Sequence, residues 1–486
     1  MTPTARCLIS AFCLLVSASG QDAPHRLAAR AKGDTPLFSD LRELCDGIGG
    51  RPTGSAACDR AVEWAAKKFR DIGIQNVSVE PFNAENMWLP GTAEAAATQP
   101  VKFPIRIAAS PMSPSTKAPI EARLIDAGDA TPAAFAKLGP SMKGSIVLVH
   151  SAEMKTFDDL FAEYFRNVAL IEAQKKYQPA AMLLESTRPR GLLYRHPISL
   201  DTSYAPVPTA VISREHAERL ARLAEKGEVR VRVSIANRTA PAYQSKNVIA
   251  EIRGREKPDE IVLIGAHLDS WDLGTGAEDN GVNAALVIDL ARAFHDLGIV
   301  PRRTVRFALF TGEEQGMLGS EGYVARHKND LDKFAAVLVF DTGSGHTAGF
   351  YLNGREELRK PVNDALAAIE GLNATEHVID AIDGTDNFDF LISGIPNLVA
   401  IQDPIPYLPD YHAESDTFDR VNQKEEKITE AVAGVLLWAL AENPDRPAKR
   451  QTRAEVEKLL VDTKLVEQMK AFGQWDDFKS GKRGLW

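Results

Sequence analysis

From Lys246 onward one pattern constrains the fold more than any other: short apolar runs rich in β-branched residues, most of them separated by amphipathic helices. The runs are NVIAEI (247–252), EIVLIGA (260–266), TVRFALF (304–310), AAVLVFD (335–341) and PNLVAI (396–401), and GVNAALVIDLARAFHDL (281–297) is the clearest helix between them. Strands that are apolar on both faces need cover on both faces. Alternation with helices therefore predicts an α/β fold, a mainly parallel mixed sheet sandwiched by helices. In an open sheet of this kind the ligand site lies beyond the carboxyl ends of the strands.

The rest of the chain reads as additions to that unit. Residues 37–48 and 56–73 have helical spacing, joined by a Gly-Gly-Arg-Pro turn, and a strand follows at about 75–82. The stretch from about 105 to 235 is rich in Pro and Ala, with short strands at GSIVLVH (144–150) and AAMLLES (180–186) and helical segments at about 166–176 and 214–226. It clusters no histidine with acids, and it reads as an inserted α/β domain; the alternative is a continuous extension of the main sheet. The organisation expected is a signal segment at 1–20, an N-terminal part of the main domain at 21–105, the insert at 106–236, the main domain at 237–442 and a charged helical extension at 443–486.

Arg6, the apolar stretch Cys7–Val16 and the small residues Ala18-Ser19-Gly20 form a secretory signal pattern, so a secreted or periplasmic chain is expected, with a short N-terminal anchor as the alternative. Elsewhere no apolar run reaches membrane-spanning length. Lys and Arg total 57 against 66 Asp and Glu, a net charge of −9 with no dominant basic patch, which argues against nucleic-acid binding as the main role. Cleavage of the signal would remove Cys7 and Cys13 and leave Cys45 and Cys58; whether these two pair is open at this stage.

The strand ends carry the chemistry. EIVLIGA runs into His267 and Asp269, and ten residues after Asp269 stands Asp279, at the start of a helix. TVRFALF leads to Glu313 and Glu314, AAVLVF to Asp341, and a later loop holds Tyr411, His412 and Asp416. Carboxylates gathered at one place repel one another unless some are protonated or a cation neutralises them. Two zinc ions, each with about three protein ligands and an open position, fit two histidines plus Asp279, Glu314 and Asp341, provided one carboxylate bridges. Mixed nitrogen and oxygen ligation suits zinc or cobalt better than calcium. Two metals roughly 3.5–4 Å apart can ionise a shared water near neutral pH. Singly, each residue has a structural explanation; their order and their strand-end placement together make coincidence a poor one.

The segments GAHLDSWDLGTGAEDNGVNAA, FTGEEQGMLGSEGY, VFDTGSG and YHAESDTFDRV closely resemble the co-catalytic di-zinc aminopeptidase family, and HLDSWD points to its carboxypeptidase Q branch, also called plasma glutamate carboxypeptidase. The resemblance covers about 35–105 and 240–440, and the insert is similar to that family's protease-associated domain. It implies that His267, Asp279, Glu314, Asp341 and His412 hold the metals, with Asp279 bridging. It implies Glu313 as general base, Asp269 as the acid orienting His267, and a non-proline cis peptide after Asp279. It further implies two zinc ions, for which cobalt or manganese can substitute, short peptide substrates and a homodimer.

The function expected is therefore an exported metallo-exopeptidase acting on dipeptides or short peptides. Tyr411, beside His412, is a candidate substrate contact, with a packing role as the alternative. The rival readings are a general aminopeptidase on longer peptides, a single-zinc glutaminyl cyclase-like acyltransferase, and a non-enzymatic receptor-like homologue. Serine hydrolysis is unsupported, since no GxSxG elbow is present, and neither is HExxH.

Overall fold

The computed structural model describes residues 22–199, 201–405 and 407–486; the expected signal segment lies outside the described residues. The strands are β1 (Asn76–Gln99), β2 (Phe103–Ile105), β3 (Ile107–Ala109), β4 (Ile120–Asp129), β5 (Ile146–His150), β6 (Ala181–Glu185) and β7 (Thr209–Ile212). They continue with β8 (Arg230–Ile252), β9 (Lys257–His267), β10 (Arg303–Phe310), β11 (Phe334–Val339), β12 (Thr347–Tyr351), β13 (Glu376–Val378) and β14 (Asn397–Gln402). Along one path they run in the order β13-β12-β14-β11-β9-β10-β8-β4-β5-β6-β7-β3, with β1 and β2 attached off it.

The four strands at the centre of the main half are parallel: β10 pairs with β9, β9 with β11, and β11 with β14. β8 borders them antiparallel to β10. Because side chains alternate across a strand, these strands feed two separate cores. Val262, Ile264, Phe307, Leu309, Leu338 and Ala400 face one cluster, and Leu263, Ala308, Phe310, Val337, Val339 and Val399 face the other. Helices α1 (Ala56–Ile72), α3 (Val282–Asp296) and α4 (Gln423–Glu442) cover the first face, α2 being the insert helix Phe157–Tyr177. Ser55 caps α1 by accepting from the backbone of Cys58, and Gly73, in the left-handed region, ends it. Truncating a fully buried strand residue such as Leu263 to Ala costs about 2–5 kcal/mol, since both packing and a cavity are at stake.

The insert has its own parallel strands β4, β5, β6 and β7 and its own core, centred on Val147, Leu148, Leu183 and Val211. It is joined to the main half by the long ladder β1–β8, which runs antiparallel from Asn76↔Glu251 to Gln99↔Arg230. The strand expected at 75–82 thus continues to residue 99, and the boundary expected at 236/237 falls inside β8. The C-terminal extension forms α5 (Arg453–Asp462), α6 (Leu465–Ala471) and α7 (Gln474–Ser480). They pack Leu460, Met469 and Phe478 against Phe388, Leu391 and Ile392.

Candidate metal centre

Parallel strands end on the same edge, so the residues that follow β9, β10 and β11 meet there. His267 is the last residue of β9, Glu313 and Glu314 follow β10, and Asp341 follows β11. Asp279 stands in the turn before α3, and His412 comes from the loop after β14. These residues form two donor groups, His267–Asp279–Asp341 and Asp279–Glu314–His412, with Asp279 common to both. His267 Nε2 lies 3.1 Å from Asp279 Oδ1 and 2.9 Å from Asp341 Oδ1. His412 Nε2 lies 3.3 Å from Asp279 Oδ2 and 2.8 Å from Glu314 Oε2. All five residues are buried.

Two observations show that these donor atoms suit cations. First, each imidazole is oriented through its other nitrogen: His267 Nδ1 donates to the carbonyl oxygen of Asp269 (3.0 Å) and His412 Nδ1 to that of Arg195 (2.8 Å). Nε2 of each ring is thereby turned toward carboxylates, the arrangement expected of metal-bound histidines. Second, Asp279 Oδ2, both oxygens of Glu314 and Asp341 Oδ1 are buried without a hydrogen-bond partner among the described residues. Orphaned acceptors of this kind are costly unless a positive charge satisfies them. Burial keeps His412 neutral by pushing it down to about 4. Burial, together with crowding by Asp279 and Asp341, pushes Glu314 well above the usual carboxylate range. Burial and the neighbouring Asp341 and Glu314 do the same for Glu313, against the pull of His267.

Glu313 stands apart from the donor groups. Its Oε2 is 3.9 Å from His267 Nε2. With Glu314, Asp341 and His412 it lines a cavity of about 520 Å³. Adjacent glutamates with two different tasks are expected on an extended stretch; instead Glu313–Gln315 is a tight 3₁₀ turn between Gly312 and Gly316, both left-handed. The turn separates the two carboxylates by winding rather than by pleating. Asp269 also differs in detail from expectation. Its carbonyl, not its carboxylate, receives the hydrogen bond from His267, while the carboxylate accepts from Thr53 Oγ1 (2.5 Å) and from the backbone of Glu313 (3.4 Å). The peptide bond after Asp279 is cis.

Several residues support the centre from outside the donor groups. Arg51, fully buried, donates to the carbonyls of Leu268, Thr275 (2.8 Å) and Gly276 (2.8 Å), tying the loop between His267 and Asp279. Only the Gly-Gly-Arg-Pro turn marked this region, and it suggested nothing beyond a turn. Asp416, singled out within the YHAESDTF segment without a role, accepts from the backbone of Ala277, Glu278 and Asp279. Tyr411 stacks on His412 with ring centroids 3.7 Å apart, lines the cavity, and pairs its hydroxyl with that of Tyr164 from α2 (2.9 Å). The insert thus reaches the site directly, through Tyr164 and Arg195.

A mainly parallel sheet whose strand ends gather two candidate cation-binding donor groups around a shared carboxylate, with a further glutamate beside them, is the arrangement of metal-dependent hydrolases. Residues 247–436 match the model of peptidase family M28. It is 29% identical to carboxypeptidase Q of Bos taurus over 422 residues, 86% of this chain and 87% of that protein. The crystal structure of a peptidase M28 precursor from Shewanella amazonensis superposes with a TM-score of 0.81 at 26% identity, covering 89% of this chain and 99% of that one. A zinc aminopeptidase from Bacillus subtilis shares the fold, with a TM-score of 0.67 at 19% identity over 86% of this chain and 97% of its own.

Proposed function

We propose that this chain is an exported zinc exopeptidase that hydrolyses dipeptides or short peptides. The observation that carries the reading is the pair of donor groups sharing Asp279, with Glu313 beside them and opening on the same cavity. Two zinc ions fit the donors, His267 and Asp341 on one side and His412 and Glu314 on the other, with Asp279 between. When bound, zinc supplies Lewis acidity, polarising a carbonyl and lowering the pKa of water.

The remaining work falls to the chain. Glu313 takes the proton of the attacking water and returns it to the departing amine, a role open to a carboxylate that stands beside the donor groups and lines the cavity. Asp269 anchors the backbone of Glu313 and so fixes where that carboxylate stands. Tyr411, held by Tyr164, presents its hydroxyl to the cavity as a donor toward the substrate. Walls from the insert, Phe161 and Tyr164 among them, narrow the cavity and favour short peptides over long ones. Two donor groups instead of one weigh against a single-zinc acyltransferase, and the intact Glu313 weighs against a receptor without activity.

Glu313→Gln should lower kcat by several orders of magnitude while the zinc content per chain, read by elemental analysis, stays that of the unaltered protein. Near-normal turnover in this variant would refute the role of Glu313. A panel of dipeptides and longer peptides, assayed on chelator-treated protein refilled with zinc, cobalt or manganese, separates a dipeptidase from a general aminopeptidase. The homodimer implied by the resemblance belongs to the same proposal and is tested by sedimentation.

A further inference from the structure

The cavity beside the metal centre contains a second polar cluster that the proposed reaction does not use. Asp383, Thr385 and Gln474 all line it, and they are only 3%, 4% and 7% exposed. Among the described residues Asp383 Oδ2 and Gln474 Oε1 have no hydrogen-bond partner, while the Thr385 hydroxyl faces the Asp341 carboxylate. Both unpartnered oxygens are acceptors, and one belongs to a carboxyl group. Two orphaned acceptors together call for a donor that brings N–H bonds and positive charge.

The cluster is built from two parts of the chain. Gln474 Nε2 donates to Asp383 Oδ1 (3.4 Å), and Gln468 Nε2 donates to the carbonyl of Asp383 (3.2 Å). Both glutamines come from the C-terminal extension, which packs its apolar side chains against Phe388, Leu391 and Ile392 just beyond this loop. The extension therefore holds the Asp383 loop and adds its own acceptor to it. Arg483, the cation that bears on Asp383, is engaged by Asp389 at 2.7 and 2.9 Å and leaves Asp383 Oδ2 unpaired. Burial raises Asp383 to about 7, so an arriving cation would find a group ready to ionise. Thr385 lies beside Asp341, which puts the cluster next to the reacting end of the cavity.

We propose that Asp383, Thr385 and Gln474 form a substrate subsite for a cationic nitrogen, an ammonium or guanidinium group, so that the chain selects peptides carrying one. This rests on the exopeptidase reading of the same cavity. The cation has two sources, the α-ammonium of the peptide or a basic side chain, and both present the same chemistry to the subsite.

The test is calorimetric binding to the zinc-loaded Glu313→Gln chain, in which turnover is silenced. Lysyl-leucine, norleucyl-leucine and their N-acetylated forms are compared, with Asp383 intact and as Asp383→Asn. We expect a preference of about 10- to 100-fold for a cationic ligand, the factor of a charge-assisted hydrogen bond, and its loss in Asp383→Asn. Loss of the lysyl-over-norleucyl preference assigns the side chain as the source; loss of the free-over-acetylated preference assigns the α-ammonium. Gln474→Leu, a change on a separate element, should weaken the same preference roughly 2- to 10-fold, the worth of a neutral hydrogen bond. If both preferences are unchanged in both variants, or if the intact chain shows neither, the proposal falls. A protein that shows the preference yet hydrolyses no peptide would instead refute the exopeptidase reading and leave the subsite standing.

Discussion

His412 Nδ1 donates to the carbonyl oxygen of Arg195 at 2.8 Å, so a residue of the insert fixes the ring of a candidate metal-binding histidine in the main half. The contact is reinforced in both directions. The backbone N–H of Arg195 donates to the carbonyl of His412 (3.0 Å), and the Arg195 guanidinium holds Asp272 at 2.8 and 2.9 Å and the Ala109 carbonyl at 2.7 Å. Arg195→Ala should release this segment and weaken zinc binding by about 10- to 100-fold, the usual effect of losing support behind a metal ligand. Competition against a chelator of known affinity measures it. Unchanged affinity would mean that the insert does not support the centre.

Asp416 secures the other side. It accepts from the N–H groups of Ala277 (2.9 Å), Glu278 (2.7 Å) and Asp279 (3.2 Å), and is 3% exposed. Asp416→Ala would leave three buried donors unpaired, each costing about 1–3 kcal/mol, so a loss of roughly 3 kcal/mol or more is expected. Asp416→Asn keeps one acceptor oxygen and should lose less. Urea denaturation of the two variants gives the order; equal stabilities would show that the three contacts do not hold the loop.

That His267, Asp279, Glu314, Asp341 and His412 come together was legible in the sequence because parallel strands share an edge, so residues following the strands must meet whatever their separation. The roles of the supporting residues were not legible, for an equally physical reason. Arg51, Arg195 and Asp416 act through backbone groups far along the chain, and nothing in their neighbours' identities records that. The length of β1 was hidden too, because its second half, PGTAEAAATQ, has low strand propensity and is extended by its pairing with β8. The extension read as charged and helical without chemistry; left-handed residues at Lys464 and Gly473 break it into short helices, and this brings Gln468, Phe472 and Gln474 to the cavity wall.

Cys45 and Cys58 were left open between a disulfide and two thiols, and the structure has them as buried free thiols. Burial pushes Cys45 up to about 12 and Cys58 higher still, so neither is a reactive thiolate at neutral pH. A reductant should therefore leave the melting temperature unchanged, and a thiol reagent should label both residues only after unfolding. A melting temperature that drops on reduction would establish a disulfide instead.

His150, at the end of β5, joins the neighbouring strands β4 and β6: its Nε2 lies 3.2 Å from Asp126 Oδ2, and its Nδ1 pairs with Glu185 Oε2. The hydrogen bonds to Asp126 and then Glu185 raise it to about 10, against its partial burial. A histidine raised in the folded state stabilises it fully below its unfolded pKa of about 6.5, and the stabilisation disappears as pH rises through the folded value. The unaltered chain should therefore exceed His150→Gln in stability by on the order of 1–2 kcal/mol near pH 6, allowing for the ring's partial exposure. The difference should shrink steadily toward pH 10. Denaturant titrations of both proteins across that range measure it. A gap that widens with pH would mean that the ring sits neutral between Asp126 and Glu185, and that the two strands are held together without its charge.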